Sequence, residues 1–417
     1  MHSRREFLAH TLKTSTLLAC APVVPAFLAR TALAAEQGKD NILVVLEMNG
    51  GNDGLNTVVP HSDDLYHKAR PTLRIRKPDT FPLNDRLGIT NSLSGLRPLM
   101  EAGNLAAVLG VGYPNPDRSH FESMDIWQSA DLTRTTQTGW LGRAAPTLQD
   151  KQGSIPAMQI GAERLPLALA GAAGAVVSLN QKVPYQLELG GGDRREPRRK
   201  LIESLATTPA DAPGDDMLAF VRRRQVQTYE TLDKLREVLD SANKKEAENQ
   251  RGSQAGLVGK MDLIAKLINQ GFGTRVYYVT IDGFDTHSRQ AEQHPGLLSE
   301  IGQAVGHLFN ELKPNNNADR VVLMTFSEFG RRVRENGSRG TDHGAGSCLF
   351  VAGPPVKAGP IGEHPKLDDL DSGDLKYPID FRRVYATLLD QWLGIDSKAV
   401  LGGTFEHLPL LKKGAKS

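Results

Sequence analysis

The 417-residue sequence holds two cysteines, Cys20 and Cys348, too few for a disulfide framework. Charge of one sign is also missing: 50 Lys and Arg stand against 48 Asp and Glu, a formal net charge of +2. No sustained basic stripe interleaved with aromatics is present, so nucleic acid is not an expected partner. The longest apolar tract, Thr16 to Leu33, is interrupted by Pro22, Pro25 and Arg30, and falls short of the roughly 20 residues a membrane span needs. There is no Walker loop, dinucleotide fingerprint, His-Glu-x-x-His pair or Gly-x-Ser-x-Gly elbow, and no internal repeat.

What is present begins at the N-terminus. Ser3-Arg4-Arg5-Glu6-Phe7-Leu8 precedes the apolar tract, which ends in Ala32-Leu33-Ala34. A basic start, an apolar middle and a small-x-small end spell an export signal over residues 1–34, and the paired arginines resemble the twin-arginine form. The expected partner of this segment is the twin-arginine export machinery, and the expected location is the periplasm or another exported compartment. Leu17-Leu18-Ala19-Cys20 offers lipid attachment at Cys20 as the alternative. Loss of the signal leaves Cys348 alone, in an apolar run where it reads as a core residue.

The remainder alternates apolar runs with helical patterns. Asn41 to Glu47, Leu105 to Val111, Gly273 to Thr280 and Val321 to Phe326 read as strands. Continuous apolar runs of this kind indicate parallel strands buried on both faces. With weaker strands at Ala157–Ile160 and Ala175–Leu179, the pattern predicts an α/β domain over 35–415 with a mostly parallel central sheet flanked by helices. Charged amphipathic periodicity over 215–239 and 242–269 predicts a helical insertion or cap within 194–269. A further helix is expected from Leu297 to Leu312. Another is expected from Ile379 to Leu393, with Asp380 as its cap and Gly394 as its stop.

The chemistry gathers where these strands end, which in an open α/β sheet is where sites form. After the first strand comes Gly50-Gly51-Asn52-Asp53-Gly54-Leu55-Asn56, where Asp53 or Glu47 is in reach of a metal, or where the turn simply carries an Asx cap. After the second come Arg118, Ser119, His120 and Ser123. Ser119 and Glu122 have capping-box spacing; alternatively, a hydroxyl or imidazole at a helix N-terminus faces an anionic substrate, with Arg118 as a donor pair. Asp285 and His287 follow the Gly273–Thr280 strand, and a carboxylate beside an imidazole suits zinc or another divalent ion. His294 flanks the next helix as a further possible ligand. Beyond Val321–Phe326, Glu328 can bind a metal or orient a base, and Thr341-Asp342-His343-Gly344 sets an adjacent Asp and His between glycines.

Together, the glycine loop at 50–56, Ser119-His120-Phe121-Glu122-Ser123, Gly283-Phe284-Asp285-Thr286-His287, Ser327-Glu328-Phe329-Gly330-Arg331 and Thr341-Asp342-His343-Gly344 resemble a bacterial family. It is the twin-arginine-exported domain-of-unknown-function family 1501, itself similar to the alkaline-phosphatase-like, or sulfatase-like, superfamily. The resemblance spans nearly the whole mature chain. It implies one or two divalent metal ions, zinc or similar, held by Asp53, Asp285, His287, Asp342 and His343. It puts Ser119 or Ser123 near the nucleophile position and Arg118 as an oxyanion clamp. It also implies hydrolysis of phosphate or related esters, or a non-catalytic envelope protein that keeps the fold for binding or assembly. The sequence departs from that pattern in three ways. Asp285 and His287 are two apart instead of four, and Glu47 and Asn49 occupy the region of the first acidic ligand. The Cys/Ser-x-Pro-x-Arg segment of a standard sulfatase is missing.

Overall fold

The computed structural model describes residues 40–148, 155–161, 165–171, 176–179 and 256–414. The expected signal at 1–34, with Cys20, lies outside them. So does most of the expected insertion at 194–269, of which the described part is a helix, Leu257–Asn269.

The strands, in chain order, are β1 Ile42–Asn49, β2 Val58–Val59, β3 Thr80–Pro82, β4 Gly88–Thr90, β5 Leu105–Gly112, β6 Ala157–Ile160 and β7 Val176–Leu179. They continue as β8 Val276–Asp282, β9 Val321–Phe326, β10 Ser347–Ala352, β11 Gly359–Ile361, β12 Leu370–Asp371, β13 Asp374–Leu375 and β14 Ile379–Asp380. The principal sheet runs β11-β5-β10-β9-β1-β8-β6-β7, with β14 also on β5. β7, β6, β8, β1 and β9 are mutually parallel, whereas β10 lies antiparallel to both β9 and β5. The sheet is thus mixed, with one reversed strand in an otherwise parallel array. β2, β3 and β4 form a small antiparallel sheet, and β12 pairs with β13.

The helices that matter below are α1 Asp64–Ala69, α2 Arg97–Glu101, α3 His120–Ser129, α4 Trp140–Leu148, α5 Leu257–Asn269, α6 Gln290–Leu312 and α7 Phe381–Thr387. They pack on both faces of the sheet, which is why its central strands carry continuous apolar runs. Side chains alternate across a strand, and β1 shows the division. Val44, Leu46 and Met48 enter a core shared with Met261 and Ile264 of α5 and with Ile301 and Leu308 of α6. Leu43 and Val45 enter a second core with Trp127, Trp140 and Tyr385. Each such side chain, fully buried, contributes roughly 1.5–3 kcal/mol. The Trp140 and Tyr385 rings stack 4.1 Å apart. Cys348 belongs to the first core, its thiol pushed up to about 12 by burial.

Two helix expectations differ in detail. α6 begins at Gln290, seven residues before Leu297, and contains Pro295. Its start is set by docking: Gln290 N–H donates to the Arg339 carbonyl at 3.1 Å, a contact local periodicity does not reveal. Asp380 does cap the C-terminal helix, accepting from Arg382 N–H at 2.9 Å, and Gly394 ends it at φ +71°. Residues 379–380, however, are strand β14, so the helix itself begins at Phe381.

Candidate metal centre at the strand ends

Four chain segments leave the same edge of the sheet: the residues after β1, β5, β8 and β9, all at the carboxyl ends of mutually aligned strands. The connection from β9 to β10 folds back on itself. Gly330 N–H donates to Ala345 O and Gly344 N–H to Gly330 O, both at 2.9 Å, and Arg331 bridges His343. That fold brings His343 beside the start of α3. The loop after β1 lies beneath. Gly50 and Gly51 adopt φ +117° and +79°, and a Cβ on Gly50 would stand 2.5 Å from the Asp285 nitrogen. Only glycine permits that approach.

The nominated side chains converge as follows. Asp285 Oδ1 lies 3.3 Å from His120 Nε2, 3.1 Å from His287 Nε2 and 3.2 Å from His343 Nε2. The Nε2 atoms of His287 and His343 are 2.8 Å apart. Among the described residues, His120, Asp285 and His343 form a group whose ligand atoms all fall within 4.8 Å of one another. This cluster is capable of coordinating a metal ion.

The opposite nitrogen of each ring is committed. His120 Nδ1 donates to Glu328 Oε1 at 2.7 Å, His343 Nδ1 to the Arg118 carbonyl at 2.7 Å, and His287 Nδ1 to Asp342 Oδ1 at 3.2 Å. Carboxylates and carbonyls only accept, so each Nδ1 carries the proton and each neutral ring presents a lone pair at Nε2. His120 Nε2 is buried and has no hydrogen-bond partner. Three such lone pairs and a carboxylate oxygen aimed into one volume repel one another unless a cation, a metal ion or a shared proton, lies between them. A tetrahedral ion with ligands at about 2.0–2.1 Å separates them by about 3.3 Å, close to the 3.1–3.3 Å between each Nε2 and Asp285 Oδ1; His287 stands outside the metal-competent group of three. The donor chemistry therefore fits a divalent ion, and the Nδ1 partners supply the outer hydrogen bonds that metal-binding histidines usually have.

The surroundings tune these groups. Burial tends to raise the Asp285 carboxyl, but the hydrogen bond and charge of Arg331 oppose it, and the group is held down at about 2. The hydrogen bond to Glu328 raises the His120 imidazole, while burial pushes the His343 imidazole down. Phe329 packs against both rings, with centroids 4.9 and 4.7 Å away.

Other nominated residues have different surroundings. Asp53 is fully buried. Its carboxylate accepts from Arg70, from Gln290 and from the Leu55 amide, and it is not in the metal-competent group. The reason is tertiary: α1 delivers Arg70 and α6 delivers Gln290 to the same oxygen. Glu47 points to the opposite face of β1, where Tyr278 and Gln128 donate to it. Burial lifts its carboxyl to about 7. Ser123 is buried, donating to the Glu328 carbonyl and accepting from Tyr113 Oη at 2.8 Å. Ser119 stands at the N-cap of α3 without a side-chain capping bond; Asp117 accepts from its amide instead, at 2.7 Å. The Arg118 guanidinium pairs with Asp374. Asp342 orients His287 and accepts from Asn336 at 3.0 Å. His294 is buried on α6, donating from Nε2 to Asn52 Oδ1 at 2.9 Å, with its imidazole pushed down to about 4 by burial.

Two residues outside the nominated ligand set prove central. Glu328, fully buried, gathers the amides of Gly50 and Gly51, at 2.9 and 3.0 Å, together with His120. Arg331, also buried, reaches Asp285 Oδ1 at 2.8 Å. Both follow β9 directly, and that position at a strand end was the available signal.

Fold and site together define a mixed α/β protein with an imidazole–carboxylate cluster at the carboxyl edge of its sheet. The chain belongs to the family described as "Protein of unknown function (DUF1501)", whose model matches residues 40–408. A comparison with curated proteins finds no match. Among solved structures, the chain is similar to the PsFucS1 sulfatase from Pseudoalteromonas sp., at 12% identity, covering 94% of this chain and 76% of that one, with a TM-score of 0.41. It is also similar to a protein in the alkaline phosphatase superfamily from Vibrio parahaemolyticus, at 11% identity, 90% and 76% coverage and a TM-score of 0.35. A third is the C-terminal periplasmic domain of EcEptC from Escherichia coli, at 9% identity, 76% and 74% coverage and a TM-score of 0.33. No helix among the described residues is long and apolar enough to cross a membrane.

Proposed function

We propose that this chain is an exported, metal-dependent hydrolase of phosphate or related esters. The observation that supports it is the convergence of His120, His287 and His343 Nε2 on Asp285 Oδ1, with every Nδ1 engaged elsewhere. His120, Asp285, His287 and His343 would hold the ion. Bound there, a divalent ion supplies Lewis acidity and positive charge toward a developing oxyanion. Glu328 keeps His120 in the tautomer that presents Nε2, and Asp342 does the same for His287. Phe329 shields one side of the cluster from water. Ser119, at the N-terminus of α3 and free of a capping bond, is the hydroxyl best placed to act as nucleophile toward a small anionic substrate. Arg118 would bind that anion after releasing Asp374. Export rests on the Arg4-Arg5 signal pattern, which makes the twin-arginine machinery the partner and the periplasm the compartment.

The pairing of Arg118 with Asp374 and the burial of Ser123 favour a second reading, a binding or assembly protein that retains the metal centre without turnover. Elemental analysis of protein purified from the exported fraction, paired with a screen of phosphomonoesters and phosphodiesters, separates the two. The hydrolase reading expects bound metal and turnover in the wild type, with both lost in His120→Ala and His343→Ala and turnover alone lost in Ser119→Ala. Metal without turnover supports the second reading, and absence of metal defeats both.

A further inference from the structure

We infer that the centre binds a single metal ion, with the Arg331 guanidinium supplying the second positive charge on Asp285 that a second ion would otherwise provide. This rests on the metal-centre reading above and resolves its ion count. The three imidazole nitrogens all approach the same oxygen, Asp285 Oδ1, at 3.1–3.3 Å. Donors that share one carboxylate oxygen outline one coordination volume.

Arg331 Nη2 approaches that same Asp285 oxygen at 2.8 Å. Its guanidinium is fully buried and tied to the backbone. Nε donates to Gly51 O at 2.7 Å, Nη1 to Thr341 O at 2.8 Å, and Nη2 to Phe284 O at 2.9 Å and to Gly50 O. A guanidinium stays charged at any ordinary pH and offers a rigid planar fork. It cannot leave without stranding the carbonyls of Gly50, Gly51 and Thr341, each of which needs a donor. A second divalent ion at Asp285 would sit against this fixed cation, held 2.8 Å from the carboxylate oxygen both would share.

Among the described residues, the other acids near the strand ends do not make a second metal-competent group. Asp53 is committed to Arg70, Gln290 and the Leu55 amide. Both oxygens of Glu328 are occupied, Oε1 by Gly50 N–H and His120, Oε2 by Gly51 N–H and the Ser327 hydroxyl. Asp342 serves His287 and Asn336 through Oδ1. The device is therefore one exchangeable ion beside one built-in cation.

The test uses the full exported chain, stripped with chelator, reconstituted with excess zinc and desalted. Elemental analysis should find one zinc per chain. The same protein loaded with cobalt(II) should give an electron paramagnetic resonance signal of isolated high-spin ions that integrates to the whole cobalt content. Two retained ions per chain, or a cobalt signal diminished by exchange coupling between neighbouring ions, overturns the single-ion inference and leaves the metal-centre reading standing. No retained ion overturns both.

Discussion

Replacing Glu328 by Gln probes the site at the group that aims it. Each carboxylate oxygen of Glu328 faces a backbone N–H, from Gly50 on one side and Gly51 on the other, at 2.9 and 3.0 Å. A glutamine must turn its NH2 toward one of them, so either orientation sets donor against donor. An unsatisfied buried group costs about 1–3 kcal/mol, which should appear as lost stability to urea. Where the NH2 occupies the Oε1 position it also faces His120 Nδ1, which must then accept. The His120 proton moves to Nε2, and the lone pair needed by the ion is gone. Disturbing an outer-shell partner of this kind weakens metal binding by about 10–100-fold, or roughly 1.4–2.7 kcal/mol. Metal affinity is read by competition with a chromophoric chelator, and stability by urea unfolding of the stripped protein. Ser327→Ala is the control, because it removes a donor to Oε2 without touching His120. It should lose stability yet bind metal within about threefold of wild type, less than the smallest outer-shell effect. Glu328→Ala, which leaves His120 Nδ1 without this acceptor in any orientation, should lose affinity to the same degree, and wild-type affinity in Glu328→Ala refutes the reasoning.

The remaining predictions concern charge and burial. Glu47 is raised from 4.5 to about 7 by burial, so its contribution to stability is fully present below pH 4.5 and is lost as pH rises through 7. Glu47→Gln should therefore gain up to about 3 kcal/mol over wild type at pH 8 and little at pH 4.5, measured by urea unfolding in chelator. His294 is depressed from 6.5 to about 4, so its contribution is present above pH 6.5 and is lost as pH falls through 4. His294→Gln should flatten that acid limb; an unchanged limb assigns the acid sensitivity to other groups. Asp53→Asn leaves the Arg70 charge buried without its carboxylate. It should cost about 3–5 kcal/mol in unfolding free energy, while retained metal content would show that Asp53 is not a ligand. Removing metal should lower the melting temperature, because an ion held at a hundred times its dissociation constant contributes about 2.7 kcal/mol; identical melting curves with and without chelator would argue against a folded-state metal site.

Much of the scaffold was legible in one dimension. The run from Ile42 to Leu46 announces a strand buried on both faces because both periodic positions are apolar, and Val321–Phe326 does the same. The Asp380 cap and the Gly394 stop are local devices, so local sequence reveals them. The reversed direction of β10 was not legible. An apolar six-residue run looks the same in either orientation, and only its pairing with β9 and β5 fixes the choice. The start of α6 at Gln290 depends on the loop at 338–341, more than forty residues away, and so escaped a reading by periodicity.

The site divides along the same line. By itself, the sequence determined that carboxylates and imidazoles cluster at strand ends: Asp285 and His287, Asp342 and His343, His120. Covalent order and strand periodicity suffice to set a residue beside a strand terminus. Which of those groups meet was decided only by the tertiary structure. Folding of the 327–346 connection carries His343 to the start of α3 and makes His120 its neighbour. Asp53 looks as suitable as Asp285 in the sequence. Packing gives Asp53 to Arg70 and Gln290, and leaves Asp285 Oδ1 open to three imidazoles. A carboxylate's role is set by the charges and lone pairs within a few ångströms, and those arrive from segments far apart along the chain.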